Sequence, residues 1–127
     1  MRRPRVRVAL GDPHDFPADL VIVPGRRDDE PGPSVVVVKA PRFKPPSGPE
    51  LALATTYRHA MEVATRRDAR SIVLPAALVL GSWPLDDVTR VAMTVLMSTP
   101  SPVRQVTIAA STPAMLERWA EAIAREP

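Results

Sequence analysis

The second half of the chain switches repeatedly between two hydrophobic periods, and this alternation most limits the folds open to it. Glu50 to Arg67 carries Leu53, Tyr57, Ala60, Met61 and Ala64 at helical spacing, behind Pro49, which suits a first helical turn. Arg70 to Pro75, RSIVLP, is a short apolar run read as a strand. Leu85 to Met97 returns to the helical period. Leu85, Val88, Val91, Ala92, Val95 and Leu96 form its apolar face, and Asp86 and Asp87 lie at its positive end. Val103 to Ala109 reads as another strand. Thr112 followed by Pro113 marks a helix start, and Leu116, Trp119, Ala120 and Ile123 form the apolar side of that last helix. Helix, strand, helix, strand, helix with short links predicts a parallel sheet with right-handed crossovers. Ligands of such sheets sit beyond the carboxyl ends of the strands, which directs attention to the loops after Val23 and Pro75.

The first half is read from shorter signals. Arg5 to Leu10, RVRVAL, alternates charged and apolar residues in the manner of a half-exposed or edge strand. Gly11 to Pro17 is a turn, and Asp19 to Val23, DLVIV, a short buried strand. Pro24 to Pro33, PGRRDDEPGP, is loop by its breakers. Ser34 to Lys39, SVVVVK, is a third strand whose unbroken valines point to burial on both faces.

The 127 residues fit one domain spanning 1–127. Aromatic residues make up only 4%, so the core has to be built from aliphatic side chains and methionine. The absence of cysteine excludes disulfides, thiolate metal sites and a cysteine nucleophile. The apolar stretch near the amino terminus is interrupted by Gly11 and Asp12, unlike a signal peptide. The longest apolar run, Ile72 to Leu80, contains Pro75 and is too short for a membrane span. A cytoplasmic protein without membrane contact is expected. The net charge of +3 comes almost wholly from arginine, Lys39 and Lys44 being the only lysines. No basic helix is interleaved with aromatics, so nucleic acid is not an expected partner.

Few residues carry recognisable chemistry. Gly81 and Ser82 end the apolar run just before a helix, where backbone N–H groups and the helix dipole can hold a phosphate. The competing reading is a plain strand-to-helix turn, favoured by the like charge of Asp86 and Asp87 and by the apolar Leu78, Val79 and Leu80. Trp83 is either a stacking platform for a base or ribose, or a lid over the core. Arg26 and Arg27 stand at a strand's carboxyl end and offer guanidinium contacts to phosphate, although Asp28, Asp29 and Glu30 come immediately after. Asp12, His14 and Asp15 do not make a metal set, since the only other histidine, His59, lies on the polar side of a helix. Asp12 itself reads as a base contact or as an Asx-type turn residue. No metal or other cofactor is expected, and no placed nucleophile completes a triad.

The segment TYRHAMEVATRRDARSIVLPA, Thr56 to Ala76, with PLDDVTRVAM, Pro84 to Met93, after it, resembles the second half of a macro domain. Tyr57, Arg58, Ala60, Arg70, Ser71, Ile72, Pro75, Ala76, Pro84, Leu85, Asp86 and Ala92 carry the likeness. Gly11-Asp12 and ADLVIV, Ala18 to Val23, match the family's amino-terminal motifs more loosely. The resemblance implies an α/β fold, a three-layer α/β/α sandwich around a mixed, mostly parallel sheet, with the first strand paired antiparallel. It also implies ADP-ribose or a related nucleotide as ligand, with Asp12, Arg26, Gly81, Ser82 and Trp83 as its contacts here.

Several family positions are altered. Asp12 stands where an aspartate contacts the adenine amino group, but Pro13 lacks the N–H that the next residue supplies. The asparagine of hydrolytic members falls at or near Val23, the glycine-triplet loop and its helix have no counterpart, and the adenine-stacking aromatic falls near Ala110. The expectation is a non-catalytic module that binds ADP-ribose or a related nucleotide weakly or has lost that binding. The alternatives are a ligand-free protein-interaction or assembly domain, with a protein partner or homo-oligomer, and an ADP-ribosyl hydrolase.

Overall fold

The computed structural model describes residues 3–25, 35–39, 49–76 and 84–125. Five strands and three α-helices form in the order β1 Arg5–Leu10, β2 Leu20–Gly25, β3 Val35–Lys39, α1 Pro49–Arg66, β4 Ser71–Pro75, α2 Leu85–Ser98, β5 Gln105–Ala110, α3 Pro113–Arg125. A short 3₁₀ turn, Pro13–Asp15, comes after β1. The sheet order is β1-β5-β4-β2-β3.

Every pairing among these strands is parallel. The expected antiparallel pairing of the first strand is therefore corrected. β1 lies beside β5 in register from Arg5↔Gln105 to Leu10↔Ala110. The link Gly11–Asp19 is long enough to carry the chain back along the sheet, so β1 and β2 point the same way. β2 also runs two residues beyond Val23, through Pro24 and Gly25. Its ladder with β4 comprises Leu20↔Ile72 and Val21↔Val73, so farther on it pairs with β3 alone and tolerates a proline.

Chirality explains where the helices go. The crossovers β3–α1–β4 and β4–α2–β5 step in the same direction across the sheet, so right-handedness sends both helices to one face. α3 packs on β1 and β5 and joins the same layer. Leu20, Ile22, Ile72, Leu74, Val106, Ile108 and Ala110 point into that layer and form one core with Leu53, Tyr57, Met61, Val88, Leu96 and Trp119. The link from β1 to β2 steps the other way. It brings Phe16 to the opposite face, beside a smaller core of Val21, Val73 and Ala109. The three-layer expectation puts helices on both faces; among the described residues all three α-helices share one face and the 3₁₀ turn accompanies the other.

Two local devices fix β4 at its amino end. Asp19 Oδ2 accepts from the Arg70 N–H at 2.9 Å, while the Asp19 N–H donates to Ser71 Oγ at 2.9 Å. This reciprocal pair ties the start of β2 to the start of β4. Just upstream, α1 ends in a Schellman arrangement. Ala69 N–H bonds the Ala64 carbonyl, Asp68 N–H bonds the Thr65 carbonyl, and Asp68 has φ 53°.

Candidate functional site

Because the sheet is parallel, β1, β4 and β5 all deliver their carboxyl ends to one edge of the molecule. There a cleft of about 600 Å³ opens, lined by Leu10, Gly11, Asp12, Pro13, Pro75, Ala76, Ala109, Ser111 and Met115. Its size suits a small-molecule ligand. A hollow of about 590 Å³ lies at the opposite end, among Thr65, Asp68, Arg70 and the segment Pro100 to Arg104. The carboxyl-end cleft is the stronger candidate, since strand ends and helix amino termini converge there.

The walls are held by backbone bonds from neighbouring strands. Gly11 N–H donates to the Ala110 carbonyl and Ala76 N–H to the Ala109 carbonyl, both at 2.9 Å. The Ala76 carbonyl then accepts from Trp119 Nε1 at 2.8 Å. Trp119 is fully buried, so α3 grips the chain at the point where β4 gives way to the next loop. Gly11 has φ 149°, and a Cβ there would meet the Phe16 ring at 3.0 Å. Only glycine lets the chain leave β1 and turn under that ring.

Asp12 is a wall residue and also the cap of the 3₁₀ turn. Its Oδ1 accepts from His14 N–H at 2.9 Å, and its own N–H donates to Asp15 Oδ2 at 3.0 Å. The Asx-type reading of Asp12 is thus realised within a capping box, in which the Asp12 side chain also accepts from the Asp15 N–H. His14 and His59 are exposed, and no group of three potential metal ligands occurs among the described residues. Arg26, Gly81, Ser82 and Trp83, with Leu78 to Leu80, lie outside the described residues.

The charge at the start of α2 differs from its sequence reading. Asp86 bonds Arg118 at 2.7 Å and Asp87 bonds Arg90 at 3.3 Å, so each carboxylate has a guanidinium beside it. All four side chains are 40–70% exposed, and such pairs are well screened by water. Their net repulsion toward an anion at this helix end is smaller than the bare pair of acids implies.

Sequence reasoning did not find Leu10, Ser111 or Met115. For Ser111 and Met115 the usable signal was the expected parallel β5, whose carboxyl end leads into Thr112-Pro113; for Leu10 there was none. A parallel β1 beside β5 places Leu10 and the residues after Ala110 at the same end as Pro75. Ser111 Oγ lies 3.4 Å from Met115 Sδ, and Thr112 Oγ1 accepts from Met115 N–H at 3.2 Å, so the expected Thr112-Pro113 start of α3 also shapes the cleft wall.

No protein-family model matches the chain. A macro domain-containing protein of Streptomyces griseus is 36% identical over 74 residues, which are 57% of this chain and 42% of that protein. The chain thus spans less than half the length of that curated relative. Among solved structures, the macro domain of ganglioside induced differentiation associated protein 2 aligns with a TM-score of 0.75 at 13% identity, covering 94% of this chain and 84% of that one. The Oceanobacillus iheyensis macrodomain with ADP aligns with a TM-score of 0.63 at 18% identity, covering 71% of this chain and 50% of that one. A mutant of the same macrodomain with ADPR aligns with a TM-score of 0.61 at 19% identity, with the same shares covered.

Proposed function

We propose that this chain, which shares the macrodomain fold and resembles a macro domain-containing protein over 57% of its length, is a non-catalytic module binding ADP-ribose or a related adenine nucleotide in the cleft beyond β1, β4 and β5. The observation that carries the reading is the surviving cleft with Asp12 on its wall. The capping bonds fix the orientation of that exposed carboxylate, whose remaining lone pairs suit an exocyclic amino group. Fold neighbours that hold ADP or ADPR support the ligand class.

Weak binding is argued from the same residues. Pro13 has no N–H to offer, and Ala110 provides no aromatic surface for a base. The absence of turnover is argued from Val23, which stands near the family's hydrolytic asparagine. It is half-buried against Val21, Val73 and Ala109 and has no polar atom to orient water. Among the described residues, the side chains lining the cleft offer two oxygen-bearing groups, Asp12 and Ser111.

Isothermal calorimetry with ADP-ribose tests this reading. A saturable heat is expected, weakened about ten-fold or more in Asp12→Ala, because losing one charge-assisted hydrogen bond costs about 1.5–3 kcal/mol. Asp15→Ala, which perturbs the same turn without removing the Asp12 carboxylate, is the control and is expected to retain binding. No heat and no thermal shift at millimolar ligand would refute the binding. Release of ADP-ribose from a modified protein, abolished by Asp12→Ala, would refute the absence of catalysis.

A further inference from the structure

Among the described residues no strand lies on the outer side of β1, and its arginines stand beside that edge. Among the described strands β1 is terminal and pairs only with β5. The bonds Arg5 N–H to Arg104 O and Gly11 N–H to Ala110 O fix which backbone groups face inward. Arg5, Arg7 and Ala9 turn their N–H and C=O toward β5, so Val6, Val8 and Leu10 turn theirs to the free edge. Pro4 shares the outward parity and has no N–H, which ends the usable edge at Val6.

Arg5 and Arg7 project from the sheet face opposite the helices, since Val6 and Val8 pack into the helix-side core. Both are exposed, as is Arg3. Their guanidiniums recur about every 6.6 Å along the strand. Arg7 Nε donates to Thr107 Oγ1 at 3.0 Å, which steadies that head group over β5 and leaves its terminal nitrogens for another partner. Arg90 and Arg118 pair with carboxylates on the helix side of the molecule. Among the described residues Arg3, Arg5 and Arg7 have none.

We propose that the β1 edge is a docking site for an extended acidic peptide, which adds as a further strand along Val6 to Leu10 and sets its carboxylates against Arg5 and Arg7. Three features select this occupant. The open edge offers carbonyls as well as N–H groups, and a peptide strand satisfies both, whereas phosphates meet the carbonyls with like partial charge. Alternating Asp or Glu residues have the strand's own period of two, so they fall on the face that bears the arginines. A second copy of β1 is disfavoured, because pairing β1 with itself brings arginine toward arginine. This edge meets the nucleotide cleft at Leu10, but the proposal does not depend on nucleotide binding there.

Fluorescence anisotropy with an alternating Glu-Val peptide, alongside nitrogen–proton correlation spectra of the whole chain, tests the proposal. Saturable binding with amide shifts centred on Val6, Val8 and Leu10 is expected. Arg5→Glu/Arg7→Glu is expected to weaken binding about ten-fold or more while keeping the circular dichroism spectrum. A peptide N-methylated on its pairing edge is expected to lose binding, which separates strand addition from charge attraction alone. The proposal is overturned if the peptide does not bind at millimolar concentration, if N-methylation changes nothing, or if a single-stranded oligonucleotide binds this edge more tightly than the peptide.

Discussion

Trp119→Phe probes the contact on which the cleft wall depends. The indole is fully buried, and its Nε1–H is donated to the Ala76 carbonyl across 2.8 Å. Phenylalanine keeps most of the apolar contact but removes the donor and part of the ring volume. The carbonyl left behind has no water within easy reach, since Ala76 is only 2% exposed. An unsatisfied buried acceptor costs about 1–3 kcal/mol, and the smaller ring leaves a void that adds about 1 kcal/mol. The total loss is about 2–4 kcal/mol. For a chain of this size that lowers Tm by roughly 6–15 °C. Urea titration and a thermal melt measure it, and the urea midpoint should fall while the slope stays unchanged. Because Ala76 also lines the cleft, ADP-ribose binding should weaken with stability. A melt within about 2 °C of the parent would refute the claim that this bond holds the wall.

Two further substitutions test backbone geometry. Gly11→Ala is expected to destabilise by about 1–3 kcal/mol, as Gly11 combines φ 149° with a ring 3.0 Å from the new Cβ; a thermal melt measures it, and Gly11→Ala/Phe16→Leu should recover part of the loss. Asp68→Gly is expected to stabilise by up to about 1 kcal/mol, since Asp68 at φ 53° ends α1 where glycine is unstrained; chemical denaturation reads the gain.

The regular elements were legible because each had an unambiguous period. α1 and α2 begin and end within about two residues of their expected limits, and α3 begins at the expected Pro113 with Thr112 supplying the anticipated cap. Strand direction was harder to read. RVRVAL announces a half-exposed strand but carries no information on which way it runs, since alternation is the same in both directions. That one ambiguity hid Leu10, because the direction of β1 decides whether Leu10 or Arg5 reaches the cleft. Asp12 was legible with two roles, and its hydrogen bond to His14 N–H fills the turn role.

The residues that make this chain look like a macro domain are chiefly those that assemble the sheet. Arg70 and Ser71 receive and return the Asp19 clamp through a backbone N–H and a hydroxyl. Tyr57, Ala60, Ile72 and Ala92 are fully buried in the helix-side core. Ala76 is held between β5 and Trp119, and Asp86 is drawn to Arg118. Apart from the exposed Asp86, each is held by packing or pairing whatever the cleft contains. A sequence can therefore keep these positions while residues facing the ligand drift, because losing a base contact leaves the core intact, whereas losing the Trp119 bond or the Asp19 clamp does not. The likeness thus reports on the scaffold more strongly than on the activity, and the ligand question turns on Asp12 and the cleft wall around it.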